Sequence, residues 1–253
     1  MVNAFLTAGG ILLAGPLRAV ARVGDDGSPD PDVTARRLDD GWEFYRGSLE
    51  GGEAAWSRAG AAAWEPTQLP HCFNALNECD PDTPYFRGQG WYRARIEVAN
   101  PFESGRTVLN FQGAGQTSSL WVGGVFVGKH KGGYDEFSFD ITEAIARLQH
   151  SERQGGIPVV VCCDNTPDAD RVPSELSDFC LYGGLYRHVN LAYLPPVSLN
   201  AVHIEPVLDG NGAARITVSA RLYNPAKQSA RCTLTMEIVD PHGRTIHSAS
   251  ARL

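Results

Sequence analysis

Positive charge is scarce in this sequence. Lys and Arg number 22 against 29 Asp and Glu, a formal net charge of −7, and nothing gathers the cations into a basic stripe. A nucleic-acid surface needs such a stripe to neutralise phosphates, and an anionic membrane surface attracts one too, so neither partner is expected. No apolar run is long enough to cross a bilayer as a helix, which takes about 20 residues. The six cysteines, Cys72, Cys79, Cys162, Cys163, Cys180 and Cys232, include no Cys-x-x-Cys knuckle of the zinc-binding kind. They read mainly as small buried hydrophobes, and neither a metal nor a cofactor is expected.

With 253 residues, 43% apolar and 20% charged, the chain reads as globular and large enough for one big or two medium domains with a proper core. Residues 4–15 of MVNAFLTAGGILLAGPLRAVA are mostly apolar, and Ala19-Val20-Ala21 fits a small-residue cleavage site. No Lys or Arg precedes that stretch, but its composition still points to an exported protein, periplasmic or extracellular. Residues 22–35, polar and rich in Pro and Gly, complete a flexible leader over 1–35.

From 36 to 194 the dominant period is two. In YRARIEV (92–98) Tyr92, Ala94, Ile96 and Val98 face one way and Arg93, Arg95 and Glu97 the other, the pattern of a half-buried strand. FSFDI (137–141) repeats it. LWVGGVFVG (120–128) reads as a hairpin whose Gly123-Gly124 supplies the positive φ angles of a two-residue turn. IPVVVCCDN (157–165) is continuously apolar, hence a strand buried on both faces, with Cys162 and Cys163 pointing oppositely. One short helix is expected at 141–149, capped by Asp140 with Glu143 as the returning partner. Many short strands, long loops and one helix spell an all-β fold, a jelly-roll β-sandwich. After Pro195-Pro196, strand-like runs near 198–208, 213–223, 229–239 and 244–252 read as part of an immunoglobulin-like sandwich over 197–253. A complete one takes about seven strands and roughly 100 residues.

Five segments occur in order: LPHCFNA (69–75), YFRGQGWYR (85–93), LWVGGVFVGKHKGGYDEFSFDIT (120–142), VVVCCDN (159–165) and DFCLYGGLYRHVNL (178–191). Together they resemble the N-terminal sugar-binding domain of glycoside hydrolase family 2, the β-galactosidase, β-glucuronidase and β-mannosidase family. Much of each motif has a structural explanation. Trp91 and Tyr92 read as core, Trp121 as flanking the hairpin turn, and Gly132 and Gly133 as a tight loop. Arg187 shares strand parity with Val189 and Leu191, so if that face is inward its guanidinium needs a buried carboxylate or carbonyl. His71-Cys72 forms no nucleophile constellation.

What the resemblance implies centres on Asp178. In the family, the Asp of the D-F-x-x-Y-G-G-x-x-R loop reaches the sugar pocket of a catalytic (β/α)₈ barrel and accepts hydrogen bonds from ring hydroxyls of a terminal β-linked sugar. An ionised carboxylate is acceptor-only and can take two neighbouring hydroxyls. From the residues alone, Asp178 reads equally as a loop Asp capping a turn. Asn74 and Asn77, on another loop, are candidates for the same pocket or simply turn-forming asparagines. Retaining hydrolysis needs two flanking carboxyl groups. In the family both are barrel glutamates, and no pair here sits in such a motif. The chain is therefore expected to be an N-terminal fragment of an exo-acting β-glycosidase, of β-galactosidase type, inactive alone. The rivals are a stand-alone carbohydrate-binding module and a domain that assembles with a separately encoded barrel.

Overall fold

The computed structural model describes residues 2–8, 17–18, 21–22, 35–49, 64–77, 82, 84–172, 180–208, 210, 214–224, 233–240 and 242–252. Asp178, Cys79, Cys232 and most of the 1–35 leader lie outside them. Within the leader three strands are described, β1 (Val2–Ala8), β2 (Leu17–Arg18) and β3 (Ala21–Arg22). Next come β4 (Ala35–Arg37), β5 (Trp42–Arg46), β6 (Glu65–Thr67), β7 (Gln89–Ile96) and β8 (Arg106–Phe111). The hairpin strands are β9 (Thr117–Val122) and β10 (Val125–Lys131), followed by β11 (Phe137–Asp140), helix α1 (Thr142–Arg147) and β12 (Ile157–Asp164). The series closes with β13 (Val189–Leu194), β14 (Ser198–Leu208), β15 (Ala214–Tyr223), β16 (Thr233–Val239) and β17 (Thr245–Arg252). The chain divides into two compact units, one built on Pro31–Pro101 and Gly105–Tyr193, the other on Met1–Asp30, Phe102–Ser104 and Leu194–Leu253.

The larger unit is a β-sandwich of a six-stranded sheet, ordered β10-β9-β12-β7-β5-β6, and a four-stranded sheet, ordered β11-β8-β13-β4. Period-two alternation decides what each strand buries. Tyr92, Ala94 and Ile96 of β7, Leu120 and Val122 of β9, and Val189, Leu191 and Tyr193 of β13 are all buried. Strand β12 is buried along both faces, as its unbroken apolar run predicts. Val159, Val161 and Cys163 belong to the main core, while Val160 and Cys162 pack with Trp91 under Tyr45, Leu49, Trp64 and Trp121. The register lines this second face with rows: Lys131, Thr117, Asp164 and Gln89 in one, and Lys129, Ser119, Cys162 and Trp91 in the next. Both thiols of the Cys162-Cys163 pair are free, and burial pushes their pKa values up, that of Cys163 to about 12 and that of Cys162 further.

The hairpin turns where expected. Gly123 and Gly124 have φ of 57° and 79°, and Val122 pairs with Val125 across the turn. The helix is shorter than the pattern suggests. It spans Thr142–Arg147 with Ile141 at the N-cap position. Asp140 sits one residue further out, and its Oδ1 accepts from the Thr142 amide at 3.0 Å and from Thr142 Oγ1 at 2.6 Å. Glu143 does not fold back to the cap but lies 3.4 Å from Arg147, one turn along. The reciprocal capping box falls instead on Gln149 and Glu152 of the 3₁₀ turn that follows.

The smaller unit has two sheets, β1-β15-β14 and β17-β16-β2, with β3 also on β16. Its core is Ile216, Met236 and Ile238, with Ile204, Val218, Ile246 and Ala249 packed against it. The four strands after Pro196 lie close to where the alternation puts them. Strands from the segment read as a leader join both sheets. Val2–Ala8 pairs antiparallel with β15 over seven positions, Val2 opposite Ala220 and Ala8 opposite Ala214.

Leu120 gives a direct test of the larger core. It is fully buried and faces Val161 and Gly128 across its two neighbouring strands. Leu120→Ala is expected to cost about 2–5 kcal/mol, since it removes apolar contact and leaves a cavity. Urea denaturation measures this, and a loss below about 0.5 kcal/mol contradicts the packing described.

Candidate functional site

The loop that ends in Tyr182-Gly183-Gly184-Leu185 is threaded between two other segments. On one side His71 N donates to Leu185 O at 2.8 Å and Phe73 N to Gly183 O at 3.1 Å. On the other, Gly115 and Gly184 form an antiparallel bridge, with Gly115 N donating to Gly184 O at 3.0 Å. The backbones lie so close that side chains are excluded. A Cβ on Gly183 would stand 2.0 Å from the Phe73 ring. Gly184 has φ of +112°, and its Cβ would meet Tyr92 Oη at 2.4 Å and His71 O at 2.6 Å. The Gly-Gly pair is thus fixed by close approach as well as by backbone angle.

Two buried amides lock the base of this loop. Asn74 is 1% exposed. Its Oδ1 accepts from Gly183 N at 2.9 Å and from the Cys72 thiol at 3.3 Å, and its Nδ2 donates to Leu181 O at 2.9 Å and Cys180 Sγ at 3.4 Å. Asn165, fully buried at the end of β12, donates to the same Leu181 O at 2.8 Å and to Phe86 O at 3.0 Å, and accepts from Gly88 N at 2.8 Å. Each amide spends its donors and acceptors on backbone that no regular ladder serves, as buried polar groups require.

Asn77 lies at the end of the turn that begins at Phe73. Its amide donates to Asn74 O at 3.2 Å, and its Oδ1 accepts from Phe86 N at 3.1 Å. Under the loop, His71 Nδ1 and Tyr92 Oη are 2.8 Å apart. Burial lowers the His71 pKa, although Glu65 works against it, and burial raises that of the Tyr92 phenol. His71 is therefore a half-buried histidine favoured in its neutral form, tied to the Tyr92 phenol. Arg187 differs from the inward reading. It is exposed, on the bend before β13, and its Nη1 donates to the carbonyls of Gln112 at 3.1 Å and Tyr134 at 3.2 Å. No buried carboxylate is needed, because the guanidinium stays in water and ties three loops together.

This architecture has known relatives. Residues 64–195 match the family described as "Glycosyl hydrolases family 2, sugar binding domain". The chain belongs to glycoside hydrolase family 2. A crystal structure of the β-glucuronidase of Parabacteroides merdae superposes with a TM-score of 0.77 at 38% identity, over 86% of this chain and 29% of that one. A β-glucuronidase of Bacteroides fragilis is 31% identical over 123 residues, 49% of this chain and 17% of its own. A β-galactosidase of Thermoanaerobacter pseudethanolicus is 28% identical over 181 residues, 71% of this chain and 23% of its own. The chain spans about a fifth to a quarter of the length of such curated relatives.

Within the family's sugar binding domain, the structure brings Asn74 and Asn77 together beside the glycine loop. It makes Asn74 a positioning residue: its amide holds the loop from beneath, and neither polar atom is left over for a hydroxyl. Asn77 keeps its Nδ2 without a partner among the described residues. Asn165 was missed in the sequence. An Asn directly after an apolar strand reads as a turn residue, and its partners at Phe86, Gly88 and Leu181 are far away along the chain, where local pattern cannot see them.

Gly184→Ala is expected to destabilise the protein by about 3 kcal/mol or more, combining strain at positive φ with overlap against backbone. Gly155 supplies the control. Its φ is +72° but its Cβ would meet nothing within 4 Å, so Gly155→Ala should cost about 1–2 kcal/mol, the φ penalty alone. Equal losses in denaturant melts would refute the role given to close approach.

Proposed function

We propose that this chain is the sugar-binding part of an exo-acting β-glycosidase that releases a terminal β-linked sugar with retention of configuration. The match of residues 64–195 to the family's sugar binding domain carries this reading. The locked loop base is consistent with it, because the backbone at Leu181, Gly183 and Gly184 is held by buried hydrogen bonds. Asp178 is proposed to accept hydrogen bonds from the hydroxyls of the sugar, and Asn77, whose Nδ2 has no partner among the described residues, is proposed to assist. The two carboxyl groups that perform the chemistry are proposed to lie on a (β/α)₈ barrel. The β-galactosidase type expected from the sequence is not favoured over a β-glucuronidase, since relatives of both names match. The 38% identity to a β-glucuronidase supports a β-glucuronide as the first substrate to test.

The 253-residue chain should turn over neither nitrophenyl β-glucuronide nor nitrophenyl β-galactoside. The protein read through the native locus, barrel included, should hydrolyse one of them. There Asp178→Ala is expected to lower kcat/KM at least about tenfold, because one charged hydrogen bond is worth about 1.5–3 kcal/mol. Turnover by the 253-residue chain, abolished by a point mutation in it, overturns the barrel assignment. An unchanged kcat/KM in the Asp178 variant returns that residue to capping a turn.

A further inference from the structure

A groove of about 560 Å³ lies on the face of the six-stranded sheet away from the main core, over the rows that run from Lys129 and Lys131 to Trp91 and Gln89. That volume falls within the roughly 300–1,000 Å³ of small-molecule sites. We propose that this groove is a second carbohydrate site, separate from the glycine loop, for a saccharide carrying an anionic group such as a carboxylate or sulfate.

Charge makes the first argument. The chain carries a net charge of −7, yet the groove gathers three cations and two carboxylates. Arg171 is already engaged, 3.1 Å from Asp168 and bonded to Thr117 Oγ1 and the Thr166 carbonyl. Lys129 and Lys131 have no ion pair among the described residues, although Asp164 stands in the Lys131 row and the Lys131 charge also acts on Asp168. Edge-strand lysines are ordinary where they point to solvent. These two are exposed as well, but they also line a groove, where an anion would gain charge-assisted bonds to both.

The floor makes the second. Trp91 and Trp121 stack with centroids 5.6 Å apart and planes at 29°, and Trp121 is half-buried. Trp91 is only 3% exposed and backs the Trp121 ring, so the part of Trp121 left open is the apolar surface that the C–H face of a pyranose would cover. Beside it stand an acceptor for hydroxyls, the Asp164 carboxylate, and two unspent polar atoms. The Trp91 Nε1–H and the Gln89 Oε1 are sealed from solvent with no hydrogen-bond partner among the described residues. Orphaned groups of this kind ask for an explanation, and a sugar hydroxyl that shifts the cover over them would supply both partners. Apolar stacking, hydroxyl-matched donors and acceptors, and paired ammonium groups together describe an acidic sugar rather than a neutral one or a bare anion.

The test needs no barrel, so it is independent of the glycosidase reading. The 253-residue chain is titrated calorimetrically with cellobiouronic acid, a cellobiose monosulfate and neutral cellobiose. At least one anionic disaccharide should bind about tenfold or more tighter than cellobiose, a gap that narrows as salt is raised. Lys129→Ala with Lys131→Ala should erase that preference, and Trp121→Ala should weaken the neutral and acidic sugars alike. Glu143→Ala, an exposed change on α1 that does not line the groove, should leave all affinities unchanged. Carboxylate and sulfate arms separate the two sources of charge. Equal binding of charged and neutral sugars, no binding by any, or an anionic preference kept without the lysines would each overturn the proposal. Far-ultraviolet circular dichroism confirms that the lysine variant is folded before its affinities are compared.

Discussion

Two carbonyls, those of Leu181 and Phe86, each receive both the Asn74 and the Asn165 amides. The glycine-loop end of the sandwich hangs on this crossing. Four chain segments meet there, and three of them are irregular, so no ladder satisfies their backbone groups. A buried backbone group without a partner costs about 1–3 kcal/mol. Two primary amides, each with two donors and an acceptor oxygen, are a compact way to serve them all. An aspartate in either place would lack donors and bring a buried charge, and a leucine would fill the space but orphan every group around it. The glycines follow from the same crossing: once the amides draw the segments together, Gly115, Gly183 and Gly184 are where the backbones touch.

That arrangement separates support from chemistry. The groups beneath the loop are spent on one another. Asn74 has no spare atom, His71 is held neutral by burial, and the Tyr92 phenol is kept protonated. None is poised to exchange a proton near neutral pH, as an acid or base catalyst must. The loop base is rigid and chemically inert, which suits a device that presents a carboxylate at a fixed place. A group that binds substrate contributes to a transition state only if its position is settled beforehand, and at Leu181–Gly184 the amide crossing settles the backbone.

Much of this fold could be read in the sequence because it rests on local rules. Alternation located β7, β11 and the strands after Pro196, and Gly123-Gly124 marked its turn. The unbroken apolar run of β12 correctly signalled two buried faces. What covers its second face was hidden, since Tyr45, Trp64, Trp91 and Trp121 are brought together by strand order alone. The helix was overdrawn because Ile141 and Leu148 keep its period while lying outside it, packed in the core as flanks. The pairing of Val2–Ala8 with β15 was likewise unreadable. An apolar, small-residue N-terminus has the composition of an export signal, and composition does not record which edge a strand joins. At the site, DFCLYGGLYR stood out by its glycines. Asn165, which holds that loop, did not, because its importance is a set of long-range distances.

A sheet buried on both faces imposes a further constraint. Most sandwich sheets turn one face to water and alternate accordingly. Here the second face carries Val160, Cys162 and two tryptophans, and it needs cover. Part comes from within the unit: Arg93 lies 4.4 Å over the Trp64 ring and 2.6 Å from Glu43, so the edge near β5 is closed by a cation held in place. The opposite edge, near β10, has no such lid among the described residues and presents two lysines over a trough. The same apolar rows thus continue from a sealed region into an open one. A sheet that needed only solubility would end its apolar rows at the cover. Continuing them beneath ammonium groups that have no ion pair among the described residues leaves aromatic surface and positive charge together, the combination on which an acidic sugar can rest.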